Sequence, residues 1–182
     1  MAKKKSSKHN ILTCIFATII IVGLVLAIVG MFVGQVGYSY RTLEGFQPKT
    51  ATGSFKLFDD WGDFKIGLIT IEGVSNTFSV VSFIVTIVGL VVLLADSCLH
   101  LFAKKDFKIL RVIGAVLSVV GAILILVSGL VMANECYGSD NIKKALDAIE
   151  ASIHAGAGVW LGFVGGLVGG IAGGLGLVKK FN

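Results

Sequence analysis

The sequence lacks the residue patterns on which enzymes and metal proteins are built. It has only three cysteines, Cys14, Cys98 and Cys136, and they are far apart. No histidine–cysteine cluster has zinc spacing, and no redox cysteine pair occurs. No serine–histidine–aspartate arrangement appears, and no glycine-rich loop carries the Lys-Ser/Thr context of phosphate binding. We therefore expect no catalytic residues, no bound metal and no cofactor.

Charge is also scarce, since 15% of the residues are charged and 55% are hydrophobic. The mean hydropathy of +0.90 lies outside the range of ordinary soluble domains. The length of 182 residues suits one membrane domain. The net charge of +5 does not indicate nucleic acid, because ten of the 16 lysines and arginines flank apolar runs. The predicted partner of these runs is the lipid bilayer.

Four apolar runs are long enough to cross a bilayer core of about 30 Å. The predicted layout is a tail at 1–10, span one at 11–34, outer loop one at 35–76, span two at 77–102, an inner turn at 103–108, span three at 109–132, outer loop two at 133–151, span four at 152–178 and a tail at 179–182. The first run is too long for a typical signal-peptide core of about 7–15 residues, which favours an uncleaved span. The excess of Lys and Arg beside the tails and the inner turn predicts a multi-pass protein of the cell membrane with both termini in the cytoplasm.

Small residues recur along all four spans at an average spacing of about 3.5, which predicts a left-handed four-helix transmembrane bundle. A simpler alternative for any one span is that Gly, Ala and Ser are common in membrane helices. Span four carries the densest seam. Its predicted helix-packing glycines are Gly158, Gly162, Gly165, Gly166, Gly169, Gly170, Gly173 and Gly174. Either the helices of the same bundle or a second subunit could cover this glycine face.

Outer loop one is rich in aromatic and β-branched residues, which predicts a small β-hairpin or sheet. The two strands of the expected hairpin are Ser54–Phe58 and Phe64–Ile71, and Tyr38–Leu43 is a candidate third strand. The predicted turn consists of Asp59, Asp60, Trp61, Gly62 and Asp63. These carboxylates could bind Ca²⁺, but their spacing does not match an EF-hand loop, and Asp is itself a preferred turn residue.

Outer loop two contains a short amphipathic helix, which Ser139 or Asp140 can cap. Its apolar stripe extends from Ile142 to Ile153, and this continuity predicts that the helix runs directly into span four. Cys136 lies in the same loop and could be free or could join two copies of the chain.

Asp96 is the most unusual residue inside a span, because a carboxylate in hydrocarbon is costly. Arg111 lies across the short inner turn, so the two side chains predict a structural ion pair between spans two and three. Arg111 could alternatively extend to the lipid headgroups. His100 follows Asp96 by four residues on the same helical face and is expected to be interfacial.

The layout resembles the claudin and peripheral myelin protein group of tetraspan proteins. Four spans, cytoplasmic termini, a β-prone first outer loop and a shorter second one carry the resemblance along nearly the whole chain. Trp61 and Gly67-Leu68 partly match that group's loop motif, although no second Trp and no cysteine pair follow them. The resemblance implies lateral association, adhesion or scaffolding.

We therefore expect a non-enzymatic membrane protein that associates with itself or with another membrane protein. The alternative is a small channel or transporter subunit that uses the Asp96/His100 region.

Overall fold

A computed structural model describes residues 2–59, 63–103 and 107–178 of the chain. The helices and strands in these ranges are α1 (Ala2–Phe32), β1 (Gly34–Glu44), β2 (Gln47–Lys56), β3 (Asp63–Ile66), β4 (Ile69–Glu72), α2 (Thr77–Ala103), α3 (Lys108–Glu135), α4 (Asp140–Ala148), β5 (Ser152–Ala155) and α5 (Ala157–Val178). The molecule is therefore mostly helical, with a small amount of antiparallel sheet.

Four helical segments are long and apolar enough to cross a membrane. They are Ile11–Phe32, Thr77–Ala103, Lys108–Glu135 and Ala157–Gly176. The prediction of four long apolar helices is confirmed. Helix α3 continues three residues past the predicted end at residue 132 because Ala133, Asn134 and Glu135 still have helical backbone.

The predicted start of the fourth span, at residue 152, is wrong. Helix α4 ends at Ala148, and Glu150 then adopts a left-handed backbone conformation with φ of 48°. This conformation interrupts a helix, and Ser152–Ala155 forms strand β5 before α5 begins at Ala157. The apolar stripe of outer loop two therefore belongs to two separate elements, and α4 does not run into the last helix.

The predicted hairpin around residues 59–63 is also wrong. Strand β1 pairs with β2 and with β5, so the larger sheet has the order β2-β1-β5. Strands β3 and β4 form a separate two-stranded sheet. The segment interpreted as one strand, Phe64–Ile71, turns back on itself at Gly67-Leu68, where Gly67 has φ of 63°. A positive φ favours glycine, and this two-residue turn is a common hairpin connection.

The larger sheet continues directly from the helices. Strand β1 begins two residues after α1 ends, and β5 lies two residues before α5 begins. Val36 pairs with Ala155, and Ser39 pairs with Ser152, so the two helix ends are held side by side. We call this end of the helices the sheet end. The opposite end, where α2 ends and α3 begins, is the turn end.

A hydrophobic core joins the strands to the helices at the sheet end. Its fully buried members include Val36 from β1, Ile66 from β3, Ile71 from β4 and Leu146 from α4. Met132 at the end of α3 packs into the same cluster. The sheets therefore pack on the helical part of the molecule through shared apolar surface.

Candidate functional site

Asp96 and Arg111 meet at the turn end. The Arg111 Nε donates a hydrogen bond of 2.6 Å to Asp96 Oδ2, and Arg111 Nη2 lies 2.6 Å from the same oxygen. The Arg111 side chain is 9% exposed and the Asp96 side chain is 1% exposed, so the pair is buried. Asp96 lies near the end of α2 and Arg111 in the first turn of α3, which explains how a short connection brings them together.

Arg111 also reaches a third helix. Its Nη1 donates to the Gly176 carbonyl of α5 at 3.3 Å. The last four carbonyls of a helix lack partners within the helix, so a guanidinium can satisfy one of them. One arginine therefore connects α2, α3 and α5 where all three come together.

The ion pair forms one wall of a small cavity of about 40 Å³. Thr13, Ser97 and His100 add further polar groups to its lining, and most of the apolar side chains come from α1. Among the described residues, Asp96 Oδ1 has no hydrogen-bond partner. The buried carboxylate, which lines the cavity, thus offers one oxygen to Arg111 and keeps the other without a partner in the described part of the chain.

His100 lines the same cavity as Asp96, as their four-residue spacing on one helical face suggests. It is half-buried. Within the described part of the chain, no group of three or more His, Cys, Asp or Glu side chains is placed to hold a metal ion.

The glycine face of α5 packs against the chain's own helices. Cβ atoms built at seven of the eight predicted glycines fall within 3 Å of a neighbouring residue; these are Gly158, Gly162, Gly165, Gly166, Gly169, Gly170 and Gly173. At Gly165 the neighbour is the Gly23 carbonyl oxygen of α1, at 2.5 Å, and at Gly166 it includes the Ala122 methyl of α3, at 2.9 Å. At Gly174 the nearest atom is the Ala115 Cβ at 3.9 Å. Helices α1, α2 and α3 therefore occupy nearly the whole face, which leaves little of it for a second subunit.

The predicted turn at 59–63 does not assemble a cluster of carboxylates in the part that the structure describes. Asp59 Oδ2 accepts a hydrogen bond of 2.7 Å from the Lys56 amide, and the Asp59 amide donates to the Lys56 carbonyl. Asp63 begins strand β3. Asp60, Trp61 and Gly62 lie outside the described residues. Asp59 therefore acts as a turn residue that ends β2.

Cys136 is fully buried in the core at the sheet end. Burial and, to a smaller extent, the neighbouring Glu135 carboxylate raise the pKa of its thiol to about 12. A buried, protonated thiol is a poor nucleophile, so the hypothesis that Cys136 joins two copies does not fit this conformation. The cysteines with exposed positions are Cys14 and Cys98.

Gln35 is a fully buried polar residue that none of the sequence patterns above indicates. Its Nε2 donates to the carbonyls of Gly30 at 2.5 Å and Val33 at 3.1 Å, which satisfies the end of α1. The backbone carbonyl of Gln35 accepts a hydrogen bond of 2.6 Å from the Gly156 backbone amide, beside the start of α5. The sequence signal that could have indicated this role is the position of Gln35, a long amide side chain directly after the charge-free run 11–34.

The hairpin tips at the sheet end expose large apolar side chains. Phe46 in the β1–β2 turn and Leu68 in the β3–β4 turn are fully exposed, and Leu43 beside Phe46 is 73% exposed. Large apolar residues at two turns are unusual, because turns favour Gly, Pro, Asn, Asp and Ser. These tips are the second candidate functional feature of the molecule.

Comparison of the chain with protein-family models, with curated proteins and with solved structures finds no match. The likeness to claudin and peripheral myelin proteins therefore stays a resemblance of layout.

Proposed function

We propose that this chain is a non-enzymatic multi-pass membrane protein that associates with other proteins through its sheet end. The observation that carries the proposal is the apolar tip of the β1–β2 hairpin, formed by Leu43 and Phe46. Exposed apolar surface in water favours burial against a partner, at about 25 cal/mol per Å².

The hairpin is shaped to present this tip away from the helices. Strand β1 has 11 residues, so it reaches roughly 36 Å from the end of α1 at about 3.3 Å per residue. Its first residues are buried, and its last four, Arg41–Glu44, are exposed. An ion pair of 2.9 Å between Arg41 and Glu150 connects the outer half of β1 to the segment after α4. A well-anchored base with an apolar tip suits contact with a second protein, either in the same membrane or in an opposing one.

The same proposal includes a left-handed helix bundle in the cell membrane, with both termini in the cytoplasm. Close contacts between small residues support the bundle: a Cβ built at Gly89 of α2 lies 2.5 Å from the Ser118 amide nitrogen of α3. The concentration of Lys and Arg beside the tails and the turn end supports the orientation. Protease accessibility of tags at each terminus, in sealed cells and after permeabilisation, tests the orientation. Cleavage of either tag in sealed cells would contradict it.

Vesicle tethering tests the associating tip. Purified protein is reconstituted into two vesicle populations with different fluorophores, and clustering is measured by energy transfer. We expect Leu43→Ser combined with Phe46→Ser to reduce clustering if the tip contacts a protein in an opposing membrane. If the contact lies within one membrane, the double variant should instead reduce chemical crosslinking. Leu68→Ser removes an equally exposed apolar side chain from the other hairpin, and its effect shows whether association belongs to the β1–β2 tip alone or to both tips. Unchanged clustering and crosslinking by the double variant would contradict the proposal.

A second candidate function is a small channel or transporter subunit, which the buried Asp96/His100 cavity favours. Leu90, Phe83 and Ile125 count against it, because these apolar side chains are fully buried farther from the turn end, where a polar path through the helices would have to continue. Ion or proton flux in liposomes separates the two functions. Unchanged flux in Asp96→Asn would remove the transport hypothesis.

A further inference from the structure

We propose that the cavity beside Asp96 binds the hydrogen-bond-donating head, a hydroxyl or an ammonium group, of a single-chain amphiphile. This site is separate from the hairpin tips, and the inference does not depend on the association proposed above.

The Asp96–Arg111 ion pair has an unusual geometry. An arginine and a carboxylate usually form two parallel hydrogen bonds that occupy both carboxylate oxygens. Here Arg111 Nε and Nη2 both approach Oδ2, and Nη1 donates to the Gly176 carbonyl instead. Asp96 Oδ1 is consequently left without a partner among the described residues, although Asp96 is only 1% exposed. A buried acceptor without a partner is costly, so a donor that enters the cavity gains free energy.

The polar groups that line the cavity determine which head group it can bind. Ser97 Oγ already donates its proton to the Leu93 carbonyl at 2.9 Å, so this oxygen faces a ligand as an acceptor. Asp96 Oδ1 and Ser97 Oγ together form a set of acceptors. Arg111 neutralises the Asp96 charge, so a neutral hydroxyl fits as well as an ammonium group. An anion would meet the free carboxylate oxygen directly, which excludes phosphate or carboxylate heads at this position.

The size and shape of the cavity limit which group can enter it. A water molecule needs about 10–15 Å³ of cavity volume. The cavity of about 40 Å³ therefore accepts a hydroxyl or ammonium group with its first methylene. The wall that α1 supplies is mostly apolar, since Leu12, Phe16 and Ile20 lie on one ridge at four-residue intervals and Thr13 adds the one hydroxyl. Ile20 is buried, and Leu12 and Phe16 are half-buried. The aliphatic tail leaves the cavity past Leu12 and Phe16.

Photolabelling of the full-length protein in lipid vesicles tests the site. The probes are three dodecyl chains that carry a diazirine beside the head and differ only in that head: ammonium, hydroxyl or methyl ether. The ether accepts hydrogen bonds but cannot donate them. We expect the ammonium and hydroxyl probes to label peptides containing Leu12–Ile20 or Leu93–His100 about tenfold more than the ether, since a hydrogen bond to a charged acceptor is lost.

Two variants make the test specific. In Asp96→Asn, the amide oxygen turns to Arg111 and the amide nitrogen faces the cavity, so the preference changes from the ammonium to the ether probe. Thr13→Trp fills the cavity from its half-buried wall and reduces labelling by all donor probes. Thr18→Trp is the matched control, because Thr18 is exposed on the same helix and lies outside the cavity lining.

Three outcomes would overturn the proposal. The first is equal labelling by the three probes in the native sequence, which would mean that the head is not recognised. The second is undiminished labelling of Thr13→Trp, which would place the probes elsewhere. The third is the absence of saturable labelling at these peptides, which would mean that the cavity holds only water.

Discussion

The Asp96 carboxylate and the Arg111 guanidinium neutralise each other where neither side chain reaches solvent. Burial of two charges costs several kcal/mol per ion, and their attraction offsets this cost only while both are present. Arg111 also connects α5 through the Gly176 carbonyl. The pair therefore contributes more to which helices meet at the turn end than to net stability.

We expect Arg111→Met to lower the free energy of unfolding by about 3–5 kcal/mol, because it leaves a buried, unpaired carboxylate. Combining it with Asp96→Leu should recover most of the loss. Unfolding in mixed detergent micelles, followed by circular dichroism, provides the double-mutant cycle. Losses that simply add in the double variant would show that the two side chains do not act as a pair.

Cys136 provides a second residue-level prediction, since burial raises its pKa to about 12 from an ordinary value of 9.0. We expect a maleimide to modify Cys14 and Cys98, which are exposed near the turn end of α1 and α2, in the detergent-solubilised folded protein and to reach Cys136 only after unfolding. Mass spectrometry of the labelled peptides measures this. Rapid labelling of Cys136 in native conditions would contradict the burial.

The raised pKa also makes stability depend on pH. The unfolded chain loses the Cys136 proton near 9.0, whereas the folded protein keeps it until about 12. The stabilisation is therefore complete below pH 9 and is lost as the pH rises toward 12. Comparing midpoints of unfolding at pH 8 and pH 10.5 should show a smaller decrease for Cys136→Ala than for the native sequence. Equal decreases would mean that the thiol does not contribute.

At the scale of elements, α5 packs through backbone rather than through side chains. A Cβ built at Gly165 would lie 2.5 Å from the Gly23 carbonyl oxygen and 3.0 Å from the Ala27 nitrogen, and backbone atoms of α1 cannot rotate away. Glycine permits this approach, which suits helices that associate in lipid by close packing. At Gly174 the neighbouring atom is 3.9 Å away, which is ordinary van der Waals contact.

These two glycines form a matched pair for testing. We expect Gly165→Ala to destabilise the protein by about 1–3 kcal/mol through overpacking, and Gly174→Ala to change stability by less than about 0.5 kcal/mol. Thermal unfolding in the same detergent measures both. Equal effects of the two substitutions would contradict the packing of α5 against α1.

At the scale of the whole molecule, the sheets and the helices share one core. Ile71 of β4 and Val36 of β1 are fully buried in the cluster that contains Met132 and Ala133 of α3. Because β1 and β5 continue into α1 and α5 within two residues, opening the sheet would also disturb the helix ends. The structure therefore predicts one cooperative unit.

We expect Ile71→Ala to lower the free energy of unfolding by about 2–5 kcal/mol, because it leaves a cavity in this core. Circular dichroism reports the helices as a whole, and the fluorescence of Trp160, in the first turn of α5 beside β5, reports the sheet end once Trp61 is replaced by Phe. The two signals should change at the same temperature or denaturant concentration, both in the protein with Ile71 and in the Ile71→Ala variant. Separate transitions would show that the sheet end unfolds independently.

The sequence by itself determined the features that depend on local composition. Four charge-free or charge-poor runs of sufficient length predicted the four long helices, since length and hydropathy are properties of a single segment. The rarity of charge within such runs also singled out Asp96, and the short connection placed Arg111 across from it in the first turn of the next span. Both inferences required only residues that are close along the chain.

Only the tertiary structure decided the features that depend on distant segments. Strand β5 joins β1 across more than 100 residues, as Val36 pairs with Ala155, and its four residues carry no strong strand pattern of their own. The positive φ of Gly67 produces a turn that divides the predicted strand Phe64–Ile71 into two strands. The pattern of aromatic and β-branched residues along the segment does not reveal this turn. Whether helices of the same chain cover the α5 glycines, and whether Cys136 is buried, likewise depends on which surfaces meet. Long-range packing determines these contacts, and a local pattern cannot specify its partner.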